Sequence, residues 1–287
     1  MDERIGEIPT WPELAAAITA LASPSEDSAP RMLSLDDAQQ LAASFATDLR
    51  VVEDAALGLG VAPRRYARNL TIFSTEEQRR LLRSRVVLVG LGGLGGCLLE
   101  QLVRAGVGTM LAFDGDTFEE SNLNRQLLAT TATLGRAKAL AACERAALLN
   151  PGVTVQCQPV ALDSAAMRTI CRQADLVLDA LGGVAGRGPL RLAAAEAGVM
   201  LLSAAVAGWT GYVAAIPPGG TGPDEFFPSE GHGAEDASGT PAPAVHLAAS
   251  LQAAWALRLL CGQQAAPART SARIFDLADG TLEHAEL

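Results

Sequence analysis

Three glycines spaced as G-x-G-x-x-G, Gly90, Gly92 and Gly95, follow the apolar run 86–89 and precede a helical pattern. In that context the spacing has a mechanical meaning. The first glycine permits a turn, the second lets a phosphate approach the backbone, and the start of the next helix favours negative charge. Asp114, at the end of the following apolar run, is an acid suited to ribose hydroxyls. NAD, FAD and ATP each present an adenosine ribose and a phosphate, so the turn alone does not choose among them.

The stretch after it does. In DGDTFEESNLNRQLLATTATLGRAK, residues Asn122, Arg125 and Lys138 arrive together beside the same pocket. Two cations and an amide suit a triphosphate, because arginine grips oxygens bidentately and lysine supplies a point charge to the group being displaced. A nicotinamide diphosphate demands less. Taken singly, each of the three reads as a surface charge or a turn cap; with the glycine turn they read as a phosphate cradle.

Such a turn needs strands to hold it. From Arg85 onward the chain alternates short β-branched runs with helical patterns, the sign of βαβ units. Strands are expected at 85–90, 109–114, 153–158, 175–180 and 199–204, with helices at 94–105, 135–149, 164–173 and 187–197. Residues 217–243, rich in Gly, Pro and acids, are too long for an ordinary connection and read as a lid-like or disordered loop. A long apolar helix and a hairpin turning at Asp279-Gly280 complete the chain. The expected class is α/β and Rossmann-like: a mostly parallel sheet flanked by helices, with C-terminal antiparallel strands and a small N-terminal helical module.

Residues 1–33 read as a flexible tail, holding one short helical segment around WPELAAAITALA and a linker, SPSEDSAP. Residues 34–62 read as two short amphipathic helices. Ser34 caps the first, which carries Leu35, Ala38, Leu41, Ala42 and Phe45 on one face; Thr47 caps the second, with Leu49, Val52, Ala56 and Leu59. A DNA-reading helix pair needs basic residues, whereas Asp36, Asp37, Asp48, Glu53 and Asp54 face only Arg50. A packing or partner-binding module is expected instead.

The 287 residues carry a net charge of −10, which argues against a nucleic-acid partner. No stretch offers the ~18 consecutive apolar residues of a membrane span without interruption by charge or glycine, and no basic region opens the chain, so no membrane partner and a cytoplasmic location are the expectation. Cys97, Cys143, Cys157, Cys171 and Cys261 form no CxxC pair and read as reduced thiols, each better explained as a small buried hydrophobe than as a nucleophile. His232, His246 and His284 share no metal spacing. Trp209 reads equally as a channel wall and as a core aromatic.

The segments RYARNL (65–70), VLVGLGGLGG, DGDTFEESNLNRQ, GRAK, LNP (149–151) and DLVLDA give most of the chain a family likeness. It resembles the ThiF, MoeB and HesA group of ubiquitin-activating-like adenylyltransferases. The resemblance implies that residues 63–287 form an adenylation domain that uses ATP and Mg²⁺. Its expected substrate is the C-terminal carboxylate of a ubiquitin-like sulfur carrier protein ending in Gly-Gly, with pyrophosphate released. It further implies that Gly90, Gly92, Gly93 and Gly95 form the phosphate-side turn and that Asp114 holds the ribose. Asn122, Arg125 and Lys138 would hold phosphates, with Asp116, Ser121 and Gln126 completing the nucleotide contacts. Arg68 matches an arginine that reaches the triphosphate of the neighbouring protomer, so a homodimer is implied, and Arg68, Arg125 and Lys138 carry the catalytic roles. No general base is needed, because a carboxylate is already ionised at neutral pH.

Two departures from the family stand out. Gly182 and Gly183 occupy the place of an Asp-Asn pair whose Asp helps hold magnesium, leaving Asp179 as the expected metal carboxylate and Asp116 as another candidate nearby. That opens two alternatives: a catalytically silent nucleotide-binding partner module, or adenylation of a peptide or tRNA carboxylate with the helix pair as a clamp. Second, the loop 217–243 holds no cysteine, so the reaction is expected to stop at the acyl-adenylate.

Overall fold

The structure, a computed structural model, describes residues 12–23, 30–225 and 237–287. Most of the SPSEDSAP linker, and the middle of the long loop with His232, lie outside the described residues.

The centre is an eight-stranded sheet. Strand β3 (Arg85–Val89) pairs in parallel with β4 (Thr109–Phe113) on one side and with β6 (Leu176–Asp179) on the other. β5 (Thr154–Gln158) lies outside β4, and β7 (Leu201–Ala207) lies outside β6, again in parallel. Three antiparallel strands, β8 (Thr210–Ile216), β9 (Ser271–Asp276) and β10 (Thr281–Glu286), complete the other end. The apolar run of β3 follows from burial on both faces. Val86 and Leu88 pack on one side with α5 (Gly93–Ala105), α6 (Lys138–Leu149) and the long helix α9 (Ala242–Cys261). Val87 and Val89 face α7 (Ser164–Cys171) and α8 (Arg187–Ala197). β5 alternates exposed and half-buried residues, as an edge strand does.

The stretch expected to be a tail is instead partly built into the fold. In α1 (Pro12–Leu21), Leu14 and Ile18 stand one helical turn apart and are buried with Leu33, Leu41 and Val52. β1 (Arg31–Leu33) pairs in parallel with β2 (Val61–Pro63), so the connection through α2 (Leu35–Ser44) and α3 (Leu49–Gly58) is a closed β-α-α-β unit that begins before residue 34. Ser34 caps α2 by accepting from the Asp37 amide, whereas α3 begins after Asp48, one residue beyond Thr47 and with no side-chain cap bond. Leu35 and Leu59 stay exposed, because each lies at a helix end.

The acids of α3 are not a solvated face. Glu53 and Asp54 are buried: Glu53 is paired with Arg65, and Asp54 with Arg79 and Arg83 of α4 (Thr75–Arg83). Arg50 donates to Thr109 Oγ1 at 2.7 Å and to Leu82 O at 2.8 Å, so α3 docks on the main sheet through a charged seam. Burial pushes the Asp54 carboxyl up, but the hydrogen bonds from Arg83 and Arg79 outweigh it and hold it below the usual carboxylate range. Stability from this pair is therefore present above the unfolded carboxylate pKa, about 3.9, and is lost as pH falls through the depressed folded value. Asp54→Asn is expected to lower the melting temperature at neutral pH and to differ progressively less from the parent below about pH 4 in a thermal-melt series. A difference that persists unchanged at low pH contradicts this account.

Candidate functional site: the crevice between strands β3 and β6

Strand order reverses at β3, which is followed in sequence by β4 on one side and later by β6 on the other. The C-terminal ends of β3 and β6 therefore open the crevice where doubly wound sheets take their ligands. The glycine turn leaves β3 there, and the loop 180–186 leaves β6 beside it.

Sterics dictate the turn. Gly90 adopts φ +97°, and a Cβ on it would lie 2.4 Å from Ala180 O; a Cβ on Gly95 would lie 1.9 Å from Gly90 O. Gly92 is different. It precedes α5 as its N-cap, and a Cβ there meets nothing nearer than the Gln126 amide at 3.6 Å. The two outer glycines let the chain close, and the middle one leaves an approach open. Gly93 packs under Val245 of α9, with Arg125 Cγ 3.7 Å from its Cβ position.

A hydrogen-bond relay joins the turn to the lysine. Leu91 N donates to Asp114 Oδ2 at 2.7 Å, Asp116 N to Asp114 Oδ1 at 2.8 Å, and Lys138 Nζ to Asp116 Oδ2 at 2.9 Å. Asp114 remains half-buried and keeps lone pairs for hydroxyl donors. Lys138 opens α6 and is 7% exposed, a buried cation whose partner Asp116 sits in solvent. Such a cation is poised for a second, anionic partner.

Of the SNLNRQ residues, Gln126 is buried beside Gly92, and its Oε1 has no hydrogen-bond partner. An unpaired buried acceptor next to an open glycine turn fits a bound group that donates hydrogen bonds. Arg125 is half-buried and held by Ser121 O at 3.0 Å and Asn124 Oδ1 at 2.9 Å. Asn122 caps its own turn, its Oδ1 accepting from Glu119 N at 3.1 Å, and Ser121 is exposed. Arg68 lies apart on the surface with no ion pair among the described residues.

Asp179 is a correction. Its side chain is 1% exposed; Oδ2 accepts from Arg187 Nη1 at 2.8 Å and Ser203 Oγ at 2.7 Å, and Oδ1 accepts from Leu181 N at 3.0 Å. A carboxylate buried and committed in this way is not placed to ligate magnesium. Asp116 already holds Lys138, and the described residues contain no group of three metal-ligating side chains. The residues present fit a nucleotide, and a magnesium ion there would rest on phosphate oxygens, water and at most the exposed Asp116 carboxylate.

Arg187, which sequence reading passed over, is the strut of the loop after β6. Besides Asp179 it donates to Gly183 O at 2.8 Å, Leu181 O at 2.5 Å and Ala204 O at 3.0 Å. Gln252 is equally unforeseen; from the middle of α9 its amide donates to Asp179 O and Leu202 O. The available signal is a lone amide in a helix whose other polar side chains are only His246, Ser250 and Arg258. Burial pushes the Cys97 and Cys171 thiols up to about 11 and raises those of Cys157 and Cys261, which suits packing rather than nucleophilic attack. Trp209 is 51% exposed, which removes it from the core. His246 and His284 are exposed, with His284 beside Ser271.

A mostly parallel sheet with an open glycine turn, a buried lysine and a nearby arginine at its switch point defines a Rossmann-like nucleotide-binding domain. The chain belongs to the ThiF family, whose sequence model matches residues 66–287. It is 32% identical over 207 residues to the sulfur carrier protein ThiS adenylyltransferase of Escherichia coli, covering 69% of this chain and 81% of that one. It is 34% identical over 205 residues to the E. coli molybdopterin-synthase adenylyltransferase, covering 69% and 82%. A Thermus thermophilus sulfur carrier protein adenylyltransferase is 42% identical over 152 residues, a match spanning 52% of this chain and 56% of the relative. Among solved structures, E. coli MccB with ATP shares the fold at TM-score 0.67 and 19% identity, covering 78% of this chain and 70% of MccB.

Proposed function

We propose that this protein is an ATP-dependent adenylyltransferase acting on the C-terminal carboxylate of a small ubiquitin-like sulfur carrier, and that it works as a cytoplasmic homodimer. The observation that carries the reading is the buried Lys138 ammonium tied by relay to a glycine turn whose middle residue is open. The family relatives named for sulfur carrier adenylation support the substrate class. ATP supplies the electrophilic α-phosphorus, and attack by the carboxylate displaces pyrophosphate. The chain's part is positioning and charge dispersal. The Gly92 backbone and the α5 N-terminus receive phosphate, Asp114 the ribose hydroxyls, Lys138 and Arg125 the triphosphate, and Gln126 Oε1 a donor on the nucleotide. Arg68 serves the pocket of the opposite protomer. ATP–pyrophosphate exchange stimulated by a Gly-Gly-ended carrier is the expected result, and ATP binding without exchange for any carrier rejects the enzyme reading.

The committed state of Asp179 and the glycines at 182 and 183 favour one second reading, a silent nucleotide-binding partner. Gly182 separates the two. A Cβ there meets no heavy atom within 4 Å, whereas Gly183 has φ +70° and would be strained by any side chain. Gly182→Asp is thus expected to fold normally and, if the wild-type chain is silent, to gain magnesium-dependent exchange of at least about tenfold over background. Exchange in the wild type that Gly182→Asp leaves unchanged excludes the silent reading.

A further inference from the structure

The segment RYARN is gripped from the N-terminal unit. Arg65 is bound through both terminal nitrogens to Glu53, a carboxylate with no exposed surface, and its guanidinium stacks 4.6 Å from the Tyr66 ring centroid. Tyr66 is 1% exposed, and its hydroxyl accepts from Asn150 Nδ2 at 2.8 Å; the same amide nitrogen donates to Val103 O. There is no slack around the pair: a Cβ on Gly152 would lie 2.3 Å from Glu53 Oε2, and one on Gly106 would lie 2.4 Å from the Tyr66 hydroxyl. Beyond this anchor, Ala67 N donates to Arg64 O and Asn69 N to Tyr66 O, so Arg68 rides on a turn whose base is Arg65 and Tyr66. An ion pair whose carboxylate is fully buried costs desolvation and is weak evidence for stability as such; what it offers is a fixed geometry.

We infer that Glu53 is a positioning residue, through which the N-terminal unit sets the place of Arg68 and hence the competence of the opposite protomer's nucleotide pocket. This rests on the reading of Arg68 given above. Asp54, its neighbour in α3, binds Arg79 and Arg83 on α4 and serves only to dock the unit. The two acids should therefore separate. Glu53→Gln is expected to lower kcat/KM in ATP–pyrophosphate exchange at least about tenfold, while Asp54→Asn lowers thermal stability and leaves exchange near wild type.

Complementation tests positioning against misfolding. A Glu53→Gln chain keeps a sound pocket and lacks a placed Arg68; an Arg125→Ala chain has the reverse defect. Mixed by co-expression, they should restore on the order of a quarter of wild-type exchange, since half of the random dimers carry one sound site of two. A mixture of Arg68→Ala with Arg125→Ala is the reference. Recovery in the reference but not with Glu53→Gln overturns the inference and leaves the two-chain site standing. Equal loss of exchange in Asp54→Asn and Glu53→Gln also overturns it. No recovery in either mixture, or a wild type without exchange, removes the Arg68 reading or the adenylation reading respectively, and this inference with it.

Discussion

Arg125→Ala should abolish carrier-stimulated ATP–pyrophosphate exchange, a loss of about 10²–10³-fold or more, without lowering the melting temperature appreciably. Both halves follow from where the side chain sits. Its bonds in the free protein go to Ser121 O and the Asn124 amide in its own surface turn, and their loss leaves no buried charge behind. Its stem runs past Gly93 at the start of α5, where negative charge on a bound triphosphate is favoured. Lys138→Ala should also lose exchange, yet it strips a mostly buried cation from Asp116 and so is the less clean experiment. Nucleotide binding by Arg125→Ala at wild-type affinity would place the triphosphate elsewhere.

Asp179→Ala carries the largest expected cost in stability. Removing Asp179 takes away the buried carboxylate that Arg187 Nη1, Ser203 Oγ and Leu181 N all donate to, a loss of about 3–5 kcal/mol. For a chain of this size that corresponds to a melting temperature lower by roughly 10 °C. The measurement distinguishes two roles for one carboxylate. A magnesium ligand could be removed with little effect on the ligand-free protein, whereas a strut of the β6 loop cannot, and a ligand-free melting temperature equal to wild type would return Asp179 to the candidates for metal binding.

The difference between what was legible and what was not is one of range along the chain. The glycine turn is readable because its logic is local: within six residues two backbone positions close on their surroundings and the one between them stays open. The strands β3, β4, β6 and β7 are readable because each is buried on both faces and so is apolar but for Arg85, Thr109, Asp179 and Ser203. α4, by contrast, shows only Leu81 and Leu82 as apolar residues among nine, and its one local signal is the Ser74 and Glu77 capping box. The sequence shows Glu53 and Asp54 only as charges against a DNA reader, because their partners lie 12 to 29 residues away and no spacing rule on a helix reveals them. The same holds for Asp179. Its arginine stands eight residues on, across a loop, where neither helical nor strand periodicity brings side chains together.

The fit between Gly90 and Gly95 bears on how such a chain can change over generations. Because the Gly90 carbonyl fills the space a side chain would need at Gly95, and Ala180 O and a φ of +97° bar one at Gly90, neither position tolerates replacement whether or not the protein turns over substrate. Descendants that abandon catalysis would still have to keep both, simply to remain folded. The outer glycines of the fingerprint are thus a record of ancestry, and drift reaches first the places where a side chain meets no obstruction, Gly92 and Gly182. A survey of natural relatives that asks which of them still work would do better to read those two positions than to search for the fingerprint itself.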